Sequence, residues 1–237
     1  MPDPYLYPNT NVLINKFDIQ DAKRLSEVEN DLVYIKLFEV DDFMQDLSFD
    51  TAGLKALHHY LFEDIYDWAG NFRTINIFKI ERVIPGKSVE YGDHTQLQRL
   101  LDAAFFDLDE TRRDELSKEA RAKVFSRMFA RIWQIHPFRE GNTRTVTTFM
   151  LGYANRHGIT IDGSLLSKYN AYVRESLVMA SIGEYSEYEH LEKIILDAMG
   201  DADGSETDAT EEATEQYAKI NEYEVKDYYY RQFETDK

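Results

Sequence analysis

The chain's 237 residues are 43% apolar, enough for one sizeable domain with appendages and too much for a chain disordered throughout. There is no cysteine, which excludes disulfide frameworks, thiolate nucleophiles and Cys-ligated zinc and fits a reducing compartment. A formal charge of −17 repels nucleic-acid backbone and anionic lipid alike, so no direct nucleic-acid or membrane partner is expected; the acidity either attracts a basic macromolecule or only maintains solubility.

The opening stretch, residues 1–11, lacks a basic region followed by an apolar run. No segment approaches the roughly 20 apolar residues that span a bilayer, so a cytoplasmic protein is expected. Apolar residues at Ala22, Leu25, Val28, Leu32 and Ile35 follow the three-to-four step of an amphipathic helix. The same step runs through Leu54, Leu57, Leu61, Ile65 and Trp68, ending near Gly70, and through Leu97, Leu101, Phe105 and Leu108. From Ser117 to Ile135 the apolar face widens, with Val124, Phe125, Met128, Phe129, Ile132 and Trp133, as in a central helix buried on most sides. A second central helix is expected from near Thr143, with Val146, Phe149, Met150 and Tyr153 inward and Gly158 as its stop. Ser186-Glu187-Tyr188-Glu189 has the pattern of a capping box opening the last helix.

Two regions break this pattern. Between Arg73 and Tyr91, the alternation Thr74-Ile75-Asn76-Ile77 and the turn residues Pro85-Gly86 predict a β-hairpin on a helical body. Residues 200–216 are acidic and small without apolar periodicity, as in a flexible linker, and the aromatic tail at 217–237 either docks back or binds elsewhere.

The chemistry concentrates in His136-Pro137-Phe138-Arg139-Glu140-Gly141-Asn142-Thr143-Arg144, between the two most apolar helical patterns. A helix starting here presents unpaired N–H groups and a partial positive charge, so Gly141, Asn142 and Thr143 can cradle phosphate oxygens. Arg144 can add charge-assisted bonds to the same oxygens. Glu140 would repel that phosphate unless a divalent cation lies between them, and Mg²⁺ suits one carboxylate plus substrate phosphates; otherwise Glu140 and Arg144 form a local salt bridge. His136 has the pKa range of a general base, or is a hydrogen-bonded core histidine. Phe138 reads as an apolar anchor and Pro137 as a stiffener.

This segment resembles the Fic family signature, His-x-Phe-x-(Asp/Glu)-Gly-Asn-Gly-Arg-x-x-Arg. The resemblance extends over roughly residues 4–199: Tyr5-Leu6-Tyr7-Pro8 with Asn11 to Asn15 is similar to the family's N-terminal segment, and Ile65 to Thr74 to its approach to the flap. It implies a mostly α fold in one domain over 1–199, with a β-hairpin flap near 73–91 over the site. It also implies transfer of AMP from ATP, as co-substrate with Mg²⁺, to a Ser, Thr or Tyr hydroxyl of a target protein. By this resemblance His136 is the base, Glu140 the Mg²⁺ ligand, and Gly141, Asn142 and Arg144 the anion site, with Thr143 inside it. Lys79 resembles a flap lysine that approaches the nucleotide, or is a solvated lysine. The edge from Thr74 through Ile75 and Asn76 to Ile77 would dock the target.

Two positions depart from the signature: Thr143 replaces its second glycine and Thr147 its second arginine. The Doc branch of the fold places a lysine at that glycine and resembles a protein kinase, so a phosphotransferase is the alternative, as is a catalytically silent binding module. The family's inhibitory glutamate pairs with the second arginine from a (Ser/Thr)-x-x-x-Glu-(Gly/Asn) helix. Outside the active loop only Glu29-Asn30 offers the pair, with Leu25 where the hydroxyl is required. No segment of this chain is therefore expected to close the site through that ion pair; restraint would come from a separate inhibitory protein, from low affinity for ATP, or from nothing.

Overall fold

A computed structural model of the chain describes residues 3–79, 88–110 and 116–199. The described residues are helical: α1 (Ala22–Phe38), α2 (Val40–Met44), α3 (Thr51–Phe62), α4 (Leu97–Glu110), α5 (Lys118–Ile135), α6 (Asn142–Arg156), α7 (Gly163–Lys168), α8 (Asn170–Met179) and α9 (Glu189–Ala198). Among them there is no strand, only an isolated antiparallel bridge between Leu6 and Leu13. The described parts of the expected hairpin, 73–79 and 88–91, thus form no strand, with a bend at 74–75 and irregular backbone elsewhere, and its turn at Pro85-Gly86 lies outside the described residues. So do the linker at 200–216 and the tail at 217–237. No helix among the described residues is long and apolar enough to cross a membrane.

The chain divides into two compact units. Of the described residues, one unit takes those up to Ile77 with Gly92–Phe106 and Ile135–Tyr153, and the other takes those within Phe78–Tyr91, those within Asp107–Gln134 and those from Ala154 to Met199.

In the first unit, α1 opens where the Asp21 carboxylate accepts the Arg24 N–H at 2.8 Å, the usual way an N-cap satisfies an orphan donor. Its buried stripe is Leu25, Glu29 and Val33, and Ile35 is 56% exposed. The stripe expected through Ile35 is therefore rotated, because a carboxylate at Glu29 is drawn inward by polar partners that periodicity alone does not weigh. The α3 face is packed by Leu54, Leu57, Leu61 and Phe62. The helix stops at Phe62, so Ile65 and Trp68 of the expected continuation lie in successive turns, with Ile65 still fully buried. On α6, Val146, Phe149, Met150 and Tyr153 are all buried as expected, and Phe149 packs edge-on with the Phe49 ring and at a tilt against the Phe105 ring.

In the second unit, Asp162 caps α7 through the Ser164 and Leu165 N–H groups while its own N–H donates to the Ala198 carbonyl at 2.8 Å, tying α7 to the end of α9. Leu177 and Val178 of α8 and Leu191, Ile194 and Ile195 of α9 are buried. The capping box expected at Ser186 is not formed. Ser186 instead ends a short 3-10 turn, its N–H bonded to the Gly183 carbonyl, and α9 starts after Tyr188 without a side-chain cap.

The helix that carries His58 and Phe62 depends on one close approach. Asp50 caps α3 through the Gly53 N–H at 2.8 Å, and a Cβ on Gly53 would overlap the Ser48 backbone carbonyl. Backbone cannot swing aside as a side-chain tip can, so Gly53→Ala is expected to cost about 2 to 3 kcal/mol, at the upper end of overpacking. Urea unfolding measures it; an unchanged midpoint would show that the Ser48 turn yields freely.

Candidate active site

The loop from His136 to Gly141 joins α5 to α6 and is locked by its own side chains. Asn142, 2% exposed, receives the Phe138 N–H on Oδ1 at 2.9 Å and donates Nδ2 to the Phe138 carbonyl at 2.8 Å. Its carboxamide thus closes the loop as a backbone pair would, which leaves its backbone N–H in the first turn of α6. Gly141 has φ +78, and a Cβ there would overlap the Phe62 ring; only glycine meets both demands. The N–H groups of Asn142, Thr143 and Arg144 form the first turn of α6, where the helix carries its partial positive charge.

His136 is buried and has φ +51, a left-handed conformation that costs a non-glycine residue about 1 kcal/mol or more. Arg73 holds it there. The Arg73 Nε donates to the His136 carbonyl at 2.8 Å, its Nη1 to the Ile75 carbonyl at 2.7 Å and its Nη2 to the Gly92 carbonyl, while its backbone N–H reaches the Pro137 carbonyl at 2.9 Å. One buried guanidinium therefore ties the end of α5 to residues 75 and 92.

Beneath the loop stands His58 of α3, fully buried. Its Nδ1 accepts the Gly70 N–H at 2.8 Å, so its Nε2 carries the hydrogen that reaches the Glu140 carbonyl at 3.1 Å. Its ring stacks on Phe138 with centroids 3.7 Å apart. Burial pushes the imidazole pKa down to about 3, with the Arg144 charge acting in the same direction, so His58 is a neutral post that fixes Glu140. The Glu140 Oε1 accepts the Gly141 N–H at 3.0 Å. Among the described residues no group of three or more His, Asp or Glu could hold a metal by itself. The carboxylate fits Mg²⁺ of the kind that takes one protein oxygen and completes its shell with phosphate and water.

Arg144 leaves the loop toward α1. Its Nη2 is bonded to Glu29 Oε1, and the Tyr66 hydroxyl donates to Glu29 Oε2. Its Cζ lies 5.0 Å from the centroid of the Phe62 ring, and its Nη1 is buried with no hydrogen-bond partner. The Glu29 of the incomplete inhibitory pattern thus does reach the loop's cation, through Arg144 and not through position 147. Arg139 is engaged elsewhere, its Nε and Nη2 on Asp3 at 3.1 and 2.8 Å. Thr143 and Thr147 are half-buried.

At the expected docking edge, Thr74 and Asn76 are exposed and Ile75 and Ile77 half-buried, the alternation read from the sequence. The Thr74 N–H is taken by the Tyr5 hydroxyl at 3.0 Å, and Asn76 Oδ1 accepts the His94 N–H at 2.8 Å. Lys79 belongs to the other unit, half-buried, its carbonyl accepting the Ser88 hydroxyl. No sequence pattern assigns a role to His58, Tyr66 or Arg73, although Tyr66 and Arg73 fall within the stretch similar to the family's approach to the flap. His58 carried one usable signal, a polar residue inside the apolar face Leu54, Leu57 and Leu61.

A family model described as the Fic/DOC family matches residues 48–154. The chain is 36% identical over 167 residues, 69% of its length and 81% of the relative's, to the protein named Probable protein adenylyltransferase y4lH of Sinorhizobium fredii. It is 30% identical over 187 residues to the protein adenylyltransferase VbhT of Bartonella schoenbuchensis, a match spanning 77% of this chain but only 36% of that protein. Among solved structures, the BepC effector protein of Bartonella tribocorum with bound AMPPNP matches with a TM-score of 0.68 at 24% identity, covering 82% of this chain and 95% of that one. The N-terminal FIC domain of Bep8 from Bartonella sp. 1-1C matches with a TM-score of 0.69 at 23% identity, over 83% and 94%.

The buried imidazole sets a pH dependence. Because the His58 pKa falls from 6.5 unfolded to about 3 folded, the unfolded chain binds the extra proton between those values. The stability His58 contributes is therefore complete above pH 6.5 and is lost as pH falls toward 3, by up to about 1.4 kcal/mol per unit. His58→Phe is expected to destabilise at pH 7.5 by about 1 to 3 kcal/mol per orphaned partner, and the gap to wild type should narrow at pH 5.5. Urea midpoints at the two values test this; a gap independent of pH would refute the neutral, buried assignment.

Proposed function

Because the chain belongs to the Fic/DOC family, we propose that it is a protein adenylyltransferase, moving AMP from Mg-ATP to a Ser, Thr or Tyr hydroxyl of another protein with His136 as general base. The observation that carries this reading is Arg144, whose Nη1 is buried without a partner in the first turn of α6, where an anion is favoured. A buried guanidinium nitrogen left unbonded is costly, and a phosphate oxygen supplies what it lacks. The names of the relatives support the same chemistry.

In this reading Arg144 and the N–H groups of the α6 first turn take phosphate oxygens. Glu140 would hold Mg²⁺, which neutralises charge developing on the phosphates. His136 accepts the proton of the target hydroxyl as that oxygen bonds the α-phosphorus; the bond from the α-phosphorus to its bridging oxygen breaks, and pyrophosphate leaves. The edge from Thr74 to Ile77 docks the target. The absence of a lysine at position 143 favours this over transfer of the terminal phosphate.

Incubation with ATP labelled at the α- or the γ-phosphate separates the reactions. Label on protein from the α-position alone is expected, with an AMP-sized mass increase; label from the γ-position would establish a phosphotransferase, and binding without transfer a silent module. His136→Ala is expected to lower transfer about 10²- to 10⁴-fold with nucleotide affinity nearly intact. Transfer within a few-fold of wild type would remove His136 as base.

A further inference from the structure

Glu29 sits on the buried stripe of α1 between Leu25 and Val33, itself only 8% exposed. A carboxylate so placed costs several kcal/mol unless it is paired, and here its two oxygens serve different partners, Oε1 for Arg144 and Oε2 for Tyr66. Burial first, and then the adjacent Glu29 charge, push the Tyr66 pKa upward, so the phenol keeps its proton and stays a donor. The consequence lies in the geometry of the ion pair. An unrestrained carboxylate facing a guanidinium takes two parallel bonds; this one is held by Tyr66 to a single nitrogen, Nη2.

With Nη2 fixed and Arg144 Cζ held over the Phe62 ring, the planar guanidinium has no freedom left to move Nη1. We infer that Glu29 and Tyr66 are a positioning pair for Arg144, holding one nitrogen of the guanidinium so that the other is presented to a phosphate oxygen of the nucleotide. This inference rests on the nucleotide reading above. The pair matters more in this chain than the signature would suggest. Position 147 is Thr, Arg139 is engaged by Asp3, and Arg73 is bonded to backbone carbonyls, so Arg144 is the loop's available guanidinium among the described residues. The opposite reading, that Glu29 competes with phosphate for Arg144, meets the difficulty that Tyr66 holds the carboxylate off Nη1.

The two readings predict opposite signs. Calorimetric binding of Mg-ATP and of Mg-AMPPNP to wild type, Glu29→Gln, Tyr66→Phe and Arg144→Ala is the experiment. Glu29→Gln is expected to weaken binding about tenfold, within what one charge-assisted contact supplies, and Tyr66→Phe a few-fold. Glu29→Gln combined with Arg144→Ala should bind no worse than Arg144→Ala alone, because the effect passes through Arg144; simple damage to the fold would add to it. Unchanged binding in Glu29→Gln beside a strong loss in Arg144→Ala overturns the pair, and tighter binding overturns it in favour of competition. Tyr66→Phe keeps both charges and the ring, so it decides the matter if Glu29→Gln fails to fold. Wild type that binds neither nucleotide overturns the adenylyltransferase reading and the pair together, an outcome distinct from failure of the pair alone.

Discussion

The candidate site depends on one neutral, buried imidazole. His58 bridges the Gly70 N–H and the Glu140 carbonyl while its ring lies against Phe138, so the turn after α3, the loop between α5 and α6 and the aromatic floor share a single support. Because each ring nitrogen has a committed partner, only one tautomer satisfies both. The stack on Phe138 fixes the loop's depth, and Phe62 then leaves no room for a side chain at Gly141. The first turn of α6 is therefore placed by packing beneath it as much as by the loop's own residues.

Around this support, three arginines from two stretches of sequence do separate work. Arg73 is nearly fully buried and spends its donors on carbonyls, which suits a group that must hold backbone in place. Arg139 makes an ion pair with Asp3 at 2.8 Å, both side chains less than a quarter exposed, clasping the N-terminal segment to the loop. Arg144 keeps a nitrogen unbonded. The three guanidinium groups thus have different surroundings: fixed carbonyl dipoles around Arg73, a fixed carboxylate beside Arg139, and for Arg144 a carboxylate on one nitrogen with the other unbonded.

How far these features could be read from sequence depended on range along the chain. The faces of α4 and α6 and the composition of the loop are local patterns, and residues such as Leu101, Phe149 and Gly141 were legible for that reason. The stripe on α1 was misjudged because burial there includes Glu29, whose partners Tyr66 and Arg144 lie 37 and 115 residues away. The cap at Ser186 looked sound in isolation, yet the preceding 3-10 turn had already engaged its backbone. His58 is 82 residues from the carbonyl it supports, and no spacing rule connects them.

Those same separations govern when the site can come into being during synthesis. Asp3 meets Arg139 across 136 residues, Glu29 meets Arg144 across 115 and Arg73 meets His136 across 63. Every one of these bonds waits for the loop to leave the ribosome, so α1 and α3 must emerge with Glu29 lacking Arg144 and His58 lacking the Glu140 carbonyl. Non-local contacts of this kind slow folding, and a nascent chain halted before α6 has its half of the scaffold and none of that helix's first turn. Ordered emergence thus acts as a delay, in which the loop and the first turn of α6 can be braced only after Arg144, the last of these partners, has been made.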